Sequence, residues 1–90
     1  MSVDTDEQLS SNDANLKQLI EFLAKGLVEH PDEVSVTTVA GHSSVIFELR
    51  VATDDMGKVI GKDGRVAKAM RTLLKVAAAK EHRRAILEIV

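Results

Sequence analysis

Between positions 16 and 27 the apolar residues Leu16, Leu19, Ile20, Leu23 and Leu27 recur every three or four places, with Lys17, Glu21 and Lys25 between them. That spacing marks one face of an amphipathic helix whose leucine stripe belongs in a core. The pattern starts at Asp13, where Asn12 or Asp13 suits the N-cap, and Pro31 ends it by about His30. Gly26 weakens the last turn and would permit a close packing contact.

After the turn at Pro31, Asp32 and Glu33 the period drops to two. Val34, Val36 and Thr38 alternate with Ser35, Thr37 and Val39, and Val45, Phe47, Leu49 and Val51 alternate with Ile46, Glu48 and Arg50. Two strands with one buried face each, joined through Gly41, are predicted to form a hairpin. Thr53 can cap a short helix that Asp54 and Asp55 favour at its positive end, running to about Ile60, where Gly61 breaks it. Beyond Gly64 a longer helix is expected, with Val66, Ala69, Met70, Leu73 and Ala77 buried and Arg65, Lys68, Arg71 and Lys75 outside. Residues 85–90 are short and strongly apolar, as for a strand in the sheet interior or beneath a helix. The order is helix–strand–strand–helix–helix–strand, an α+β domain over 14–90. Residues 1–13, polar and acidic without apolar periodicity, are expected to be a disordered, solubilising tail.

Ninety residues suit one small domain, and with Phe22 and Phe47 as its only aromatics the core must be aliphatic. Both phenylalanines fall in buried patterns. The chain has no cysteine, which excludes disulfides and thiolate zinc sites. No apolar run approaches the ~18 residues of a membrane span, and the N-terminus lacks a signal-peptide core, so a cytoplasmic protein with no membrane association is expected.

The net charge of −2 conceals an asymmetry: residues 1–49 carry two cations against nine acids, whereas 50–84 carry ten cations against four. One basic face on an acidic molecule suits a polyanion. Within the basic part, the run VIGKDGR at 59–65 sets two glycines around a polar pair, with Lys58, Lys62 and Arg65 beside them. Glycines allow close backbone approach, and the start of the following helix favours a phosphate. His30, His42 and His82 are too scattered for a metal site, no hydrolase constellation can be placed, and the GxxxxGK[ST] loop of nucleotide-binding proteins is absent. Neither an enzyme nor a cofactor is expected.

In its place between two helices after a strand, this run resembles the VIGxxGxxI signature of the KH RNA-binding domain. The element order is similar to the type II arrangement, with a three-stranded mixed sheet and helices packed on one face. The chain looks most like the small bacterial single-KH proteins of the KhpA group, through LIEFLAKGLV at 19–28, DMGKVIGKDGR at 55–65 and KVAAAK at 75–80. The resemblance implies a single-stranded RNA-binding protein and RNA chaperone, holding about four nucleotides in a groove between the two helices and the core strand. It further implies association with a second KH protein, KhpB (Jag-like), and a part in cell-wall and cell-length control. Carried onto this chain, Gly61 and Gly64 give the tight turn, Lys62 meets phosphate, and Lys58 and Arg65 keep the loop positive despite Asp63. Ile60, with Val59, supplies apolar floor for bases. Lys68 and Arg71 extend the basic track, Lys75 and Lys80 are merely solvated, and Ile46, Glu48 and Arg50 border the groove. Without aromatic platforms, binding should be weak and tolerant of sequence, and a pair of KH domains, as a homodimer or beside KhpB, would strengthen it. The rival expectation is a protein-interaction module whose KH surface serves dimerisation.

Overall fold

The computed structural model describes residues 11–90. Helix α1 (Ser11–Leu27) and a 3-10 turn (Pro31–Glu33) lead to strands β1 (Ser35–Ala40) and β2 (Ser44–Arg50). A second 3-10 turn (Thr53–Asp55) enters the short helix α2 (Met56–Ile60), and a third (Lys62–Gly64) separates it from α3 (Arg65–Ala79), which precedes strand β3 (Arg84–Ile89). β2 lies in the middle of the sheet, antiparallel to β1 and parallel to β3.

The period-two pattern sets which side chains meet. Thr38, Phe47 and Leu87 share one inward row, and Val36, Leu49 and Ile89 the next. Leu16, Ile20 and Ala24 of α1, Val59 of α2, and Met70 and Leu74 of α3 close over this face to make one aliphatic core around Phe47. All three helices therefore pack on one side of a three-stranded mixed sheet, the α+β arrangement of a type II KH fold. Thr37, Glu48 and Glu88 form a row on the opposite face.

Several local expectations are corrected. α1 begins at Ser11, so Ser11, Asn12 and Asp13 are helical rather than part of a tail; residues 1–10 of that expected tail lie outside the described residues. Asp13 is buried and forms a 2.7 Å ion pair with Arg83 past the end of α3, which holds the first turn of α1 down. At the other end, α1 stops at Leu27 because the next amides turn away: the N–H groups of Glu29 and His30 donate to the carboxylate of Asp55. The buried stripe of α1 is Leu16, Ile20 and Ala24, leaving Leu19, Phe22 and Leu27 exposed. Gly26 makes no close contact, having nothing within 4 Å of where a Cβ would stand.

The buried stripe of α3 is Ala67, Met70, Leu74 and Ala78; Met70 is common to the expected set, and Val66 and Ala77 of that set are part-buried against the core, so the helix is rolled toward Ala67 and Ala78. The small Ala67 and Ala78 let the helix settle on the sheet, and Ala69 and Leu73 are left outside. Thr53 does not cap the following helix: it opens the 3-10 turn, and Asp55 stands at the N-cap of α2 without a side-chain cap hydrogen bond. β3 is an edge strand, and of its residues only Leu87 is buried, because β2 already has a partner on each side.

Candidate nucleic-acid interface

The 61–64 turn is built from left-handed backbone. Gly61 has φ 79°, Asp63 57° and Gly64 73°. At Gly61 a Cβ would lie 2.5 Å from Cγ2 of Val66, so the position is closed from within. At Gly64 nothing stands within 4 Å of a Cβ, so that side of the turn is open to an approaching chain. Asp63 takes its dihedral as a short polar side chain can. The Gly64 N–H donates to the Gly61 carbonyl (3.1 Å) and the Arg65 N–H to that of Lys62, so these two amides are engaged and do not form the free donor nest expected at a helix start. Lys62 and Asp63 are exposed at the tip.

From this turn α3 presents two unlike flanks. Lys68, Arg71 and Lys75, at i, i+3 and i+7, lie along one; Val66, Ala69, Leu73 and Val76 lie along the other. The basic flank faces the β3 edge across a cleft of about 600 Å³ lined by Arg71, Lys75, Arg83, Arg84 and residues 85–87. Arg71 spans it: Nε and one terminal nitrogen both donate to the Leu87 carbonyl at 3.3 Å. The strand that borders this cleft is thus β3. The Ile46, Glu48 and Arg50 side of β2 lies on the sheet face away from the helices and does not border the cleft.

The other expected positions divide. Ile60, at the end of α2, is part-exposed, whereas Val59 is core. Lys68 is exposed on the cleft flank, while Arg65 lines a groove on the apolar flank with Leu23, Leu27 and Leu73. Lys58 lies 3.7 Å from both Glu29 and Asp55. Lys75, Arg83 and Arg84 were not expected in a site; the i, i+4 spacing of Arg71 and Lys75 was the available signal for the first. Phe22, expected in the core, is 74% exposed, on α1 rather than in the cleft.

At the start of α2, the end of that helix opposite the glycine turn, Asp55 is a buried carboxylate. It accepts the N–H of Glu29 at 3.1 Å, the N–H of His30 at 3.0 Å, and the Nδ1–H of His30 at 3.0 Å. Burial works to raise its pKa, but the Glu29 amide and the His30 ring and amide outweigh it and hold the group below the ordinary carboxylate value. The same hydrogen bond and the negative charge of Asp55 raise the pKa of His30. No group of His, Asp or Glu among the described residues could hold a metal ion, and none of their helices is long and apolar enough to cross a membrane.

A sequence profile described as KhpA/KhpB, KH domain, matches residues 17–89. The chain belongs to that KH-domain family. Among its relatives, RNA-binding protein KhpA of Clostridium acetobutylicum is 59% identical over 75 residues, 83% of this chain and all of the relative. The protein of the same name from Borreliella burgdorferi is 52% identical over 81% of this chain and 89% of its own, and that of Aquifex aeolicus 47% over 83% and 95%. No solved structure was found to match. Within the KhpA/KhpB family frame the cleft runs between the helix after the glycine turn and the strand that follows it.

Proposed function

We propose that this chain is a non-enzymatic, cytoplasmic RNA-binding protein that holds a single strand in the cleft between α3 and β3, with the 61–64 turn gripping its backbone. The cleft carries the reading: Arg71 and Lys75 on one wall, the edge strand β3 on the other, and Lys68 and the open glycine turn further back along the same helix toward its start. Relatives at up to 59% identity that carry the name RNA-binding protein support it. Lys58, Lys62, Arg65, Lys68 and Arg71 meet phosphates, Gly61 and Gly64 shape the turn, and Asp63 holds its left-handed bend. Ile60 and the β3 backbone face the bases. Neither aromatic lies in the cleft, so there is no stacking platform; binding is weak per site and tolerant of sequence, as an RNA chaperone requires. Association with a KhpB (Jag-like) partner and a part in cell-wall and cell-length control accompany the family resemblance.

Mapping amide shifts while adding a short single-stranded RNA tests this. The 61–65 amides and those of 85–87 should move together. Lys62→Asp, which makes the turn tip wholly acidic, should remove binding while leaving the thermal melt in place. Unmoved turn amides, or binding that survives Lys62→Asp, would dismiss the site.

The second reading, an interaction module, is favoured by one observation. Leu23 and Leu27 of α1 and Val66, Ala69 and Leu73 of α3 line an apolar groove in which Leu73 is 53% exposed, and Phe22, 74% exposed, stands beside Leu23 and Leu27. A face of this kind suits a homodimer, and it lies on the flank of α3 away from the cleft, so the two readings are compatible.

A further inference from the structure

An imidazole and a lysine share the buried carboxylate of Asp55, one at each oxygen. His30 Nδ1 stands 3.0 Å from Oδ2, and Lys58 Nζ stands 3.7 Å from Oδ1. Lys58 is also 3.7 Å from Glu29, an exposed acid in water and so a weak holder. Lys58 sits on α2, three residues before Gly61, where it is one of the cations nearest the turn in sequence. A lysine drawn onto a buried carboxylate is withdrawn from a phosphate. How firmly it is drawn depends on how much of the carboxylate's charge is already met. With His30 protonated, Asp55 has a full countercharge in contact. With His30 neutral, Lys58 is the countercharge that remains.

We propose that Asp55 is a positioning residue for the RNA-binding turn: it exchanges its countercharge between His30 and Lys58, so that protonating His30 frees Lys58 to meet phosphate. This rests on the RNA-binding reading and adds a proton-linked step to it. The groups facing the pair are Glu29 and Glu33 on the connection from α1 and Asp54 in the turn before α2. All are acids, and Glu33 and Asp54 both favour the charged imidazole. His30 is half-exposed, so its proton exchanges freely with solvent.

The experiment is titration of a short single-stranded RNA into the full chain between pH 6 and pH 8.5 at several salt concentrations, for the natural sequence, His30→Gln, Lys58→Gln and Lys62→Asp. The natural chain should lose affinity as pH rises. Its salt slope should fall by about 0.7, one phosphate contact on a single strand. His30→Gln should bind at every pH as the natural chain does at pH 8.5. Lys58→Gln is the deciding variant, since His30 still titrates in it: its affinity and slope should show no such step. Any other group that titrates in this range is common to both chains and cancels in the comparison. If Lys58→Gln keeps the full pH dependence, His30 acts through its own charge and the proposal is overturned. It is overturned equally if RNA binding needs Lys62 but shows no step with pH. If Lys62→Asp binds as the natural chain does, it is the RNA reading of the turn that fails instead.

Discussion

Gly61 and Gly64 are glycines for different reasons, and substitution should separate them. At Gly61 an added Cβ meets Val66 Cγ2 at 2.5 Å and the Val66 backbone nitrogen at 2.9 Å, on top of a left-handed φ. Gly61→Ala should therefore lower stability by more than about 2 kcal/mol in urea melts. At Gly64 only the dihedral resists, so Gly64→Ala should cost about 1–2 kcal/mol, keep its fold, and bind RNA poorly because the methyl fills the open approach. Equal destabilisation by both would contradict this division. His30 and Asp55 make a second residue-scale case. A raised His30 pKa contributes stability that is complete below the unfolded value of about 6.5 and is lost as pH climbs through the folded value. A depressed Asp55 pKa contributes stability present above about 3.8 and lost as pH falls through its folded value. Melting temperature should thus hold a plateau from mildly acid pH to near neutrality and decline on both sides, and His30→Gln should abolish the decline on the alkaline side and shrink the one on the acid side, because the imidazole is one of the groups that depress Asp55.

At the scale of elements, α3 does three jobs with three faces. Ala67, Met70, Leu74 and Ala78 bind it to the sheet, Lys68, Arg71 and Lys75 face the cleft, and Leu73 and Val76 lie outside. Lys75→Gln should lower the salt slope of RNA binding by about 0.7 without moving the melt. Lys80→Gln, past the end of the helix and not lining the cleft, should leave the slope unchanged; a larger loss from Lys80 would move the track elsewhere. The strands were legible from the chain because their alternation is a property of extended backbone: Val36, Phe47 and Leu49 point where a period of two sends them. The orientation of α3 was not. A helix with alanines at 67, 69, 77, 78 and 79 offers several apolar arcs of similar width, and which arc is buried depends on how closely the sheet can be approached. The same ambiguity hid Phe22 and Leu19, because Ala24 rather than a leucine completes the stripe of α1. The position of the glycine turn was legible, since its dihedrals leave a residue signature, but the engagement of its amides and the left-handed Asp63 were not. The groove strand was missed because strand order is a tertiary fact: 85–90 is more apolar than an edge strand usually is, and only the pairing of β2 on both sides puts it there.

At the scale of the whole molecule, the described residues form one core, with a basic cleft and an apolar face on opposite flanks of the same helix. On the reading proposed above, the basic cleft would hold a few nucleotides, too few for tight binding without aromatic stacking. The apolar face across α1 and α3 is the natural place to bring a second cleft near the first. Two copies joined there would leave both clefts open, and a strand long enough to reach both would bind its second site intramolecularly. Leu73 is the residue to change, because it is half-exposed and lines the groove between the helices without belonging to the core. Leu73→Glu should give a monomer by light scattering at concentrations where the natural chain is a dimer, with its melt unchanged or raised once dimer dissociation is allowed for. Its affinity for a tetranucleotide should equal that of the natural chain per site. Its affinity for a strand of twenty or so nucleotides should fall at least ~100-fold, the part owed to linkage. Were the long and short strands to weaken equally, Leu73 would be acting on the cleft itself; were the dimer to persist, the two copies would be joined through some other surface.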